Sequence, residues 1–196
     1  MKALFQGFFA DFSTAWQLLT AVPLPFAPKT FNRPAGKAVA YYPLVGFGMG
    51  LLLAGAGWIF YALLPAGVAS ALVLVVWVGL TGMLHLDGFM DACDGLLPPR
   101  DPARRLEIMK DSRVGAFGVV GGILLLLLKF NGLAALPTSY RWAALICVPV
   151  LGRWGVSWAM TRYPLARKEG LGAFFKAGLG WTQIAIASII AVVVVV

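Results

Sequence analysis

Residues 67–96 read GVASALVLVVWVGLTGMLHLDGFMDACDGL, and this stretch decides the fold class. Residues 67–85 are almost entirely apolar and are long enough for a helix that crosses a membrane. Three carboxylates follow directly, those of Asp87, Asp91 and Asp94. Ionisable groups beside the hydrocarbon core are costly and are functional by default. The stretch therefore predicts a membrane-spanning helix with an acidic site at its end.

The composition of the whole chain points the same way. Hydrophobic residues make up 60% of it, charged residues 12%, and the mean hydropathy is +0.84, which excludes an ordinary soluble domain. We expect an all-α, polytopic integral membrane protein with about five or more transmembrane helices and an N-terminal interfacial or re-entrant helix over residues 3–22. The predicted spans are 43–64, 67–85, 114–135, 142–161 and a segment that begins at Trp181.

That last segment is short for a span. From Trp181 to Val196 a helix reaches only about 24 Å, against a hydrocarbon core of about 30 Å. We therefore expect residues 1–196 to form a single membrane-embedded catalytic domain whose chain is incomplete at its C-terminus.

The lysines and arginines alternate between the loops. The connections 23–42, 86–113 and 162–180 are basic, whereas 65–66 has no basic residue and 136–141 has only Arg141. The positive-inside rule places the basic loops, and with them the aspartates, at the cytoplasmic surface. The net charge of +8 is spread over loops between spans, which favours anionic lipid and anionic substrate as partners and gives no reason to expect nucleic acid.

The three aspartates have helical spacing. In a helix, positions i, i+4 and i+7 fall within roughly a 60° arc, on a stripe about 10 Å tall. Like charges on one stripe repel, so the pattern indicates a divalent cation, and carboxylate oxygens suit Mg²⁺ or Mn²⁺ rather than Zn²⁺. The predicted metal ligands are Asp87, Asp91, Asp94 and Asp111. The alternative is a solvated acidic loop behind a span.

A second cluster follows the aspartates and carries both signs of charge. Its residues are Lys110, Asp111, Ser112 and Arg113. Phosphoryl transfer needs cations on the phosphate oxygens and a group that orients the attacking hydroxyl. Arg113 is a candidate for bidentate phosphate binding, with a membrane anchor as the alternative. The backbone amides of Gly115 and Gly118, at the start of a helix, are further candidate phosphate contacts.

Four other residues are candidates with open alternatives. Arg153 lies inside a span, where a guanidinium needs an acid or a bound anion unless its side chain snorkels to the interface. Arg167 and Lys168 belong either to a second phosphate-binding loop or to an ordinary basic cytoplasmic loop. His85 is either structural or a base or substrate contact.

Four motifs together resemble a known family. HLDGFMDACDGL (85–96), KDSRVGAFG (110–118), GRW (152–154) and PLARKEGLG (164–172) occur in the order and spacing of the cobalamin synthase family. The resemblance covers nearly the whole chain, and members are adenosylcobinamide-GDP ribazoletransferases, also called cobalamin 5′-phosphate synthases. Family chains generally continue beyond the point where this sequence ends.

The resemblance implies a reaction and a location. α-Ribazole, or its 5′-phosphate, would attack adenosylcobinamide-GDP through a ribose hydroxyl, releasing GMP, with Mg²⁺ bound by the aspartates, at the bacterial inner membrane. The implied catalytic residues are Asp94, Asp111, His85 and Arg113, with Asp94 as the acceptor of the hydroxyl proton. The implied phosphate contacts are Lys110, Ser112, Arg113, Arg153, Arg167 and Lys168. Membrane lipid is a further expected partner, and both a monomer and a homo-oligomer are compatible with the sequence.

Three alternative functions remain at this point. A CDP-alcohol phosphotransferase also uses a membrane-embedded aspartate motif, but Asp91-Ala92 stands where an Ala-Arg pair is usual. A membrane prenyltransferase usually has two separate aspartate-rich motifs, and one strong cluster is present. A cation transporter would hold its carboxylates near the bilayer midplane, whereas these lie at a span end.

Overall fold

The structure, a computed structural model, describes residues 2–24 and 35–196, with side chains from Gln6 onward. All regular secondary structure in these residues is helical, as predicted. The elements are α1 (Lys2–Leu19), the 3-10 helix η1 (Gly36–Tyr41), α2 (Tyr42–Leu63), α3 (Ala66–Leu80), α4 (Leu84–Leu96), α5 (Pro102–Ile108), α6 (Ala116–Ala135), α7 (Thr138–Arg162), α8 (Leu171–Lys176) and α9 (Trp181–Val195).

Three stretches of the described residues are long and apolar enough to cross a membrane: η1 with α2, α6, and α7. A fourth is present if α3 and α4 together count as one span. The prediction of five or more spans is not confirmed, because α9 has only 15 residues. The predicted N-terminal helix is present as α1, which is not among the candidate spans, and its interfacial position stays a prediction.

The predicted span 67–85 is wrong at its end, because the helix is broken there. α3 ends at Leu80, and α4 starts at Leu84 with a bend of 87° between the two helices. Gly82 and Met83 both have positive φ, 54° and 63°, which a continuous right-handed helix does not allow. The aspartates therefore stand on a separate helix that turns away from the apolar run.

The chain divides into two compact units. The first unit contains Met1–Gly55 and Ser139–Val196, and the second contains Ala56–Thr138. The second unit carries α3 to α6, and with them the aspartates and residues 110–113. Membership of all 196 residues in one catalytic domain stays a prediction.

In the first unit, α2 and α7 pack with their backbones in close contact. A Cβ added to Gly46 would lie 2.6 Å from the carbonyl oxygen of Pro149, and one added to Gly50 would lie 2.6 Å from the Cα of Ile146. Small residues allow this approach, which is a common way for helices to associate within a bilayer. The hydroxyl of Ser157 on α7 also donates a hydrogen bond of 2.9 Å to a carbonyl of η1.

In the second unit, α6 is the central helix, and both α3 and α4 pack against it. The side of α6 that faces α4 is made of glycines, so that side chains of α4 lie directly on its backbone. The pairs in contact are Gly118 with Asp94, Gly121 with Cys93, and Gly122 with Met90. This packing fixes the aspartate helix against the start of α6.

Candidate active site at the aspartate helix

The three aspartates lie on α4 with the predicted helical spacing. Asp87 is exposed and stands in the first turn, where a negative charge is favoured by the helix dipole. Asp91 and Asp94 follow at one-turn intervals and are half-buried. The acidic stripe is therefore present, and its environment changes from exposed at Asp87 to enclosed at Asp94.

Asp94 binds two backbone amides at the start of α6. Its Oδ2 accepts a hydrogen bond from the backbone N–H of Gly115 at 2.7 Å, and its Oδ1 accepts one from the N–H of Gly118 at 2.8 Å. Gly115 is the N-cap residue of α6 and has no side-chain acceptor of its own. Asp94 therefore caps α6 from a different helix, and satisfies two of the N–H groups that every helix start leaves open.

This contact changes the interpretation of two glycines. The amides of Gly115 and Gly118 were candidates for phosphate binding, and in the structure they bind the Asp94 carboxylate instead. A Cβ at either position would overlap with that carboxylate, which explains why glycine suits both sites. This role of Asp94 was not predicted from the sequence. One sequence signal pointed to it: the N-cap residue of α6 is Gly115, which has no capping side chain like that of Ser, Thr, Asp or Asn, so an acceptor from elsewhere in the chain can take its place.

Asp111 and Arg113 bind each other in the loop between α5 and α6. Nη2 of Arg113 donates to Asp111 Oδ2 at 2.7 Å, its Nε donates to Oδ1 at 3.1 Å, and its backbone N–H donates to Oδ1 at 3.0 Å. These hydrogen bonds lower the pKa of Asp111 to about 2 and raise the pKa of Arg113. The Arg113 side chain remains 88% exposed, so an anion can reach it from solvent.

The four predicted metal ligands do not converge. Within residues 2–24 and 35–196, no three His, Cys, Asp or Glu side chains form a group that could hold a metal ion. Asp94 is engaged by α6 and Asp111 by Arg113. Asp87 and Asp91, one turn apart on α4, are a pair of hard oxygen donors of the kind that Mg²⁺ prefers. Binding of a metal by Asp87, Asp91, Asp94 and Asp111 stays a prediction.

The remaining candidates divide between the two units. Lys110 and Ser112 are exposed beside Arg113, and His85 is half-buried in the first turn of α4, all in the second unit. Arg153, Arg167 and Lys168 belong to the first unit. Arg153 is buried in α7, whereas Arg167 and Lys168 lie in the loop between α7 and α8. The structure thus joins the aspartate helix to the loop 110–115 within the second unit, and the GRW and PLARKEGLG motifs belong to the first unit.

Comparison with known proteins decides the family. The profile of the cobalamin-5-phosphate synthases matches residues 11–196. A protein of Geotalea daltonii named adenosylcobinamide-GDP ribazoletransferase is 41% identical over 179 residues, which cover 91% of this chain and 72% of the relative. One of the same name from Desulforamulus reducens is 43% identical over 188 residues, covering 94% and 74%. The chain belongs to the cobalamin-5-phosphate synthase family.

The family assignment confirms the resemblance that the four motifs indicated. The matched residues include α4, the loop 110–115, α7 and the loop after α7, and so every candidate residue of this cobalamin-5-phosphate synthase family member. No solved structure matches the chain.

Proposed function

We propose that this chain is an adenosylcobinamide-GDP ribazoletransferase that acts in cobalamin biosynthesis. The observation that carries the proposal is the family match over residues 11–196, together with relatives of that name at more than 40% identity. The physical features agree with it. A row of carboxylates lies at the end of an apolar segment and packs against a loop with both signs of charge, as displacement at a diphosphate requires.

The reaction is displacement at phosphorus. A ribose hydroxyl of α-ribazole, or of its 5′-phosphate, attacks the phosphorus attached to adenosylcobinamide. The bond from that phosphorus to the GMP oxygen breaks, GMP leaves, and the hydroxyl proton passes to a base. The products are adenosylcobalamin, or its 5′-phosphate, and GMP.

Asp87 and Asp91 would hold the magnesium ion. Mg²⁺ is commonly bound in proteins through one or two carboxylates, with substrate phosphates and waters as the other ligands, so a site without three converging side chains fits this metal. When bound, the ion would neutralise charge on the diphosphate. Asp94 and Asp111 are proposed ligands as well, and each would share its oxygens with the partners that it has in the structure.

The loop residues Lys110, Ser112 and Arg113 would hold the diphosphate. All three are exposed and follow α5 directly, next to the Gly115 amide that Asp94 binds. Arg113 would give up some of its hydrogen bonds to Asp111 and donate them to phosphate oxygens instead. The exchange is possible because a phosphate, like a carboxylate, accepts two parallel hydrogen bonds from a guanidinium. Arg167 and Lys168 are weaker candidates, and His85 is a candidate base or substrate contact.

The orientation follows from the charges of the loops. With basic loops in the cytoplasm, α4 and residues 110–113 face the side where phosphorylated metabolites are present. The protein would then be a multi-pass component of the bacterial inner membrane. With α3 and α4 counted as one span, α9 would have to complete a further crossing for the number of spans to reach five.

The test is turnover by the purified protein in detergent, given adenosylcobinamide-GDP and α-ribazole. We expect GMP release matched one to one by cobalamin formation, and none when α-ribazole is omitted. α-Ribazole 5′-phosphate in a parallel reaction distinguishes the two acceptors. Folded protein that releases no GMP with either acceptor would contradict the proposal.

A further inference from the structure

Arg153 in α7 is a buried cation without an adequate partner. Its exposure is 6%. Within the described part of the chain, the single hydrogen bond that its side chain donates goes to the sulfur of Met49, at 3.4 Å, and its Nε has no partner. A thioether is a weak acceptor, whereas a guanidinium carries five N–H donors. The site therefore lacks a strong acceptor.

The first unit contains few carboxylates that could fill this role. Its acidic residues are Asp11 and Glu169, and the segment 25–34, which the structure does not describe, contains neither Asp nor Glu. Neither carboxylate lies within ion-pair distance of Arg153 in the residues that are described. Among the described residues of the first unit, no salt bridge therefore compensates this charge.

The charge of the whole unit shows the same imbalance. Ten lysines and arginines lie in the first unit against its two acids, whereas the second unit has six of each. The entire formal charge of +8 therefore belongs to the first unit. A compact unit with so large an excess of positive charge attracts anionic ligands.

We propose that Arg153 is the anchor of an anion-binding site in the first unit, and that its ligand is a phosphate group. The inference rests on the proposed function, and deepens it by assigning a phosphate contact outside the aspartate unit. A guanidinium at membrane depth is stabilised by a bound anion, and phosphate matches its planar fork through two parallel hydrogen bonds. Met49 is unbranched and flexible, so its sulfur can move aside for such a ligand.

A purely structural arginine would behave differently on replacement. If packing of Arg153 holds α2 and α7 together, an apolar substitute should lower the unfolding temperature. If the charge is kept for a ligand, an apolar residue of similar length should leave the free protein as stable or more stable, since an unpaired buried charge is lost. Binding of the anion should fall in the same variant.

The experiment compares the full-length wild type with Arg153→Met and Arg153→Lys in detergent. Thermal unfolding is followed by tryptophan fluorescence while inorganic pyrophosphate is titrated. Arg162→Met is the matched control, because it removes one positive charge from the exposed end of the same helix. A second series replaces pyrophosphate by anionic phospholipid, so that a soluble phosphate and a lipid headgroup are distinguished.

We expect pyrophosphate to raise the unfolding temperature of the wild type and of Arg162→Met. Arg153→Met should unfold at the wild-type temperature or above it, with an affinity for pyrophosphate at least about tenfold weaker. Arg153→Lys, which keeps the charge and loses the fork, should fall between them. A response to phospholipid alone that depends on Arg153 would identify the phosphate as that of a lipid.

The inference is overturned if the Arg153 variants respond to both ligands as the wild type does, or if both variants unfold at lower temperature or fail to fold. Because the readout is binding without turnover, it separates two failures. If the wild-type protein releases no GMP but binds pyrophosphate through Arg153, the proposed reaction is contradicted and the proposed anion site is supported.

Discussion

The cap that Asp94 forms on α6 can be tested by Asp94→Asn, which replaces one carboxylate oxygen by an amide nitrogen. Asp94→Asn keeps the size and shape of the side chain but leaves one oxygen as an acceptor. The amide nitrogen that replaces the second oxygen is a donor, so it cannot accept the N–H of Gly115 or Gly118. One of the two hydrogen bonds must therefore be lost.

The size of the loss follows from the two bonds. Hydrogen bonds to a charged acceptor contribute about 1.5–3 kcal/mol when buried, and loss of a helix N-cap costs about 0.5–2 kcal/mol. The Gly118 bond is partly buried and the Gly115 bond is exposed, so we expect the unfolding free energy to fall by about 1–2 kcal/mol. For a chain of this size that corresponds to an unfolding temperature lower by roughly 2–8 °C.

The assay combines thermal unfolding with hydrogen exchange of the amides at 115–119. Asp94→Asn should speed exchange at the start of α6 and leave the middle of α6 unchanged. Asp101→Asn is the control: it makes the same chemical change at the exposed N-cap of α5, where asparagine caps as well as aspartate. Gly118→Ala should loosen the same site from the other side, because its Cβ would overlap with the carboxylate.

Unchanged exchange at 115–119 in Asp94→Asn would refute the cap. An equal loss of protection in Asp101→Asn would also refute it, because the effect would then not depend on this contact.

Three further outcomes are expected. The pKa of Asp111 lies near 2, below its unfolded value of about 3.9, so the Asp111–Arg113 pair should be fully formed above pH 4 and should weaken as the pH falls toward 2. Carboxyl NMR shifts measure this, and Arg113→Ala should return the pKa toward 3.9; an unchanged value would contradict the pairing. Gly50→Ala should destabilise the first unit by about 1–3 kcal/mol, because the new Cβ meets the backbone of α7; unfolding at the wild-type temperature would show that the helices separate freely. Asp91→Asn should raise the Mg²⁺ concentration for half-maximal GMP release by at least about tenfold, and an identical Mg²⁺ curve would exclude Asp91 as a ligand.

Much of the fold could be predicted because membrane spans depend on length and apolar composition. Residues 43–64, 114–135 and 142–161 match α2, α6 and α7 to within a few residues at each end. The break after Leu80 was not predicted, because the apolar run continues through it. What ends the helix there is the left-handed backbone at Gly82 and Met83, and methionine gives no sequence signal for it.

The candidate site was predictable in its residues and less so in its contacts. The spacing of the aspartates correctly predicted one helix, because helical periodicity is local. Which partner each carboxylate takes depends on packing between helices distant in sequence, as for Asp94 and Gly118. The sequence also could not show that Arg153 and the aspartates belong to different compact units.

The most direct test of the central claim is GMP release as a function of Mg²⁺, measured for the wild type, Asp87→Asn and Asp101→Asn. We predict Mg²⁺-dependent release that EDTA abolishes in the wild type and in Asp101→Asn. Asp87→Asn should show no turnover although its unfolding temperature stays close to that of the wild type. Near-normal release by Asp87→Asn, or release that EDTA leaves unchanged, would contradict the assignment of α4 as the catalytic metal-binding helix.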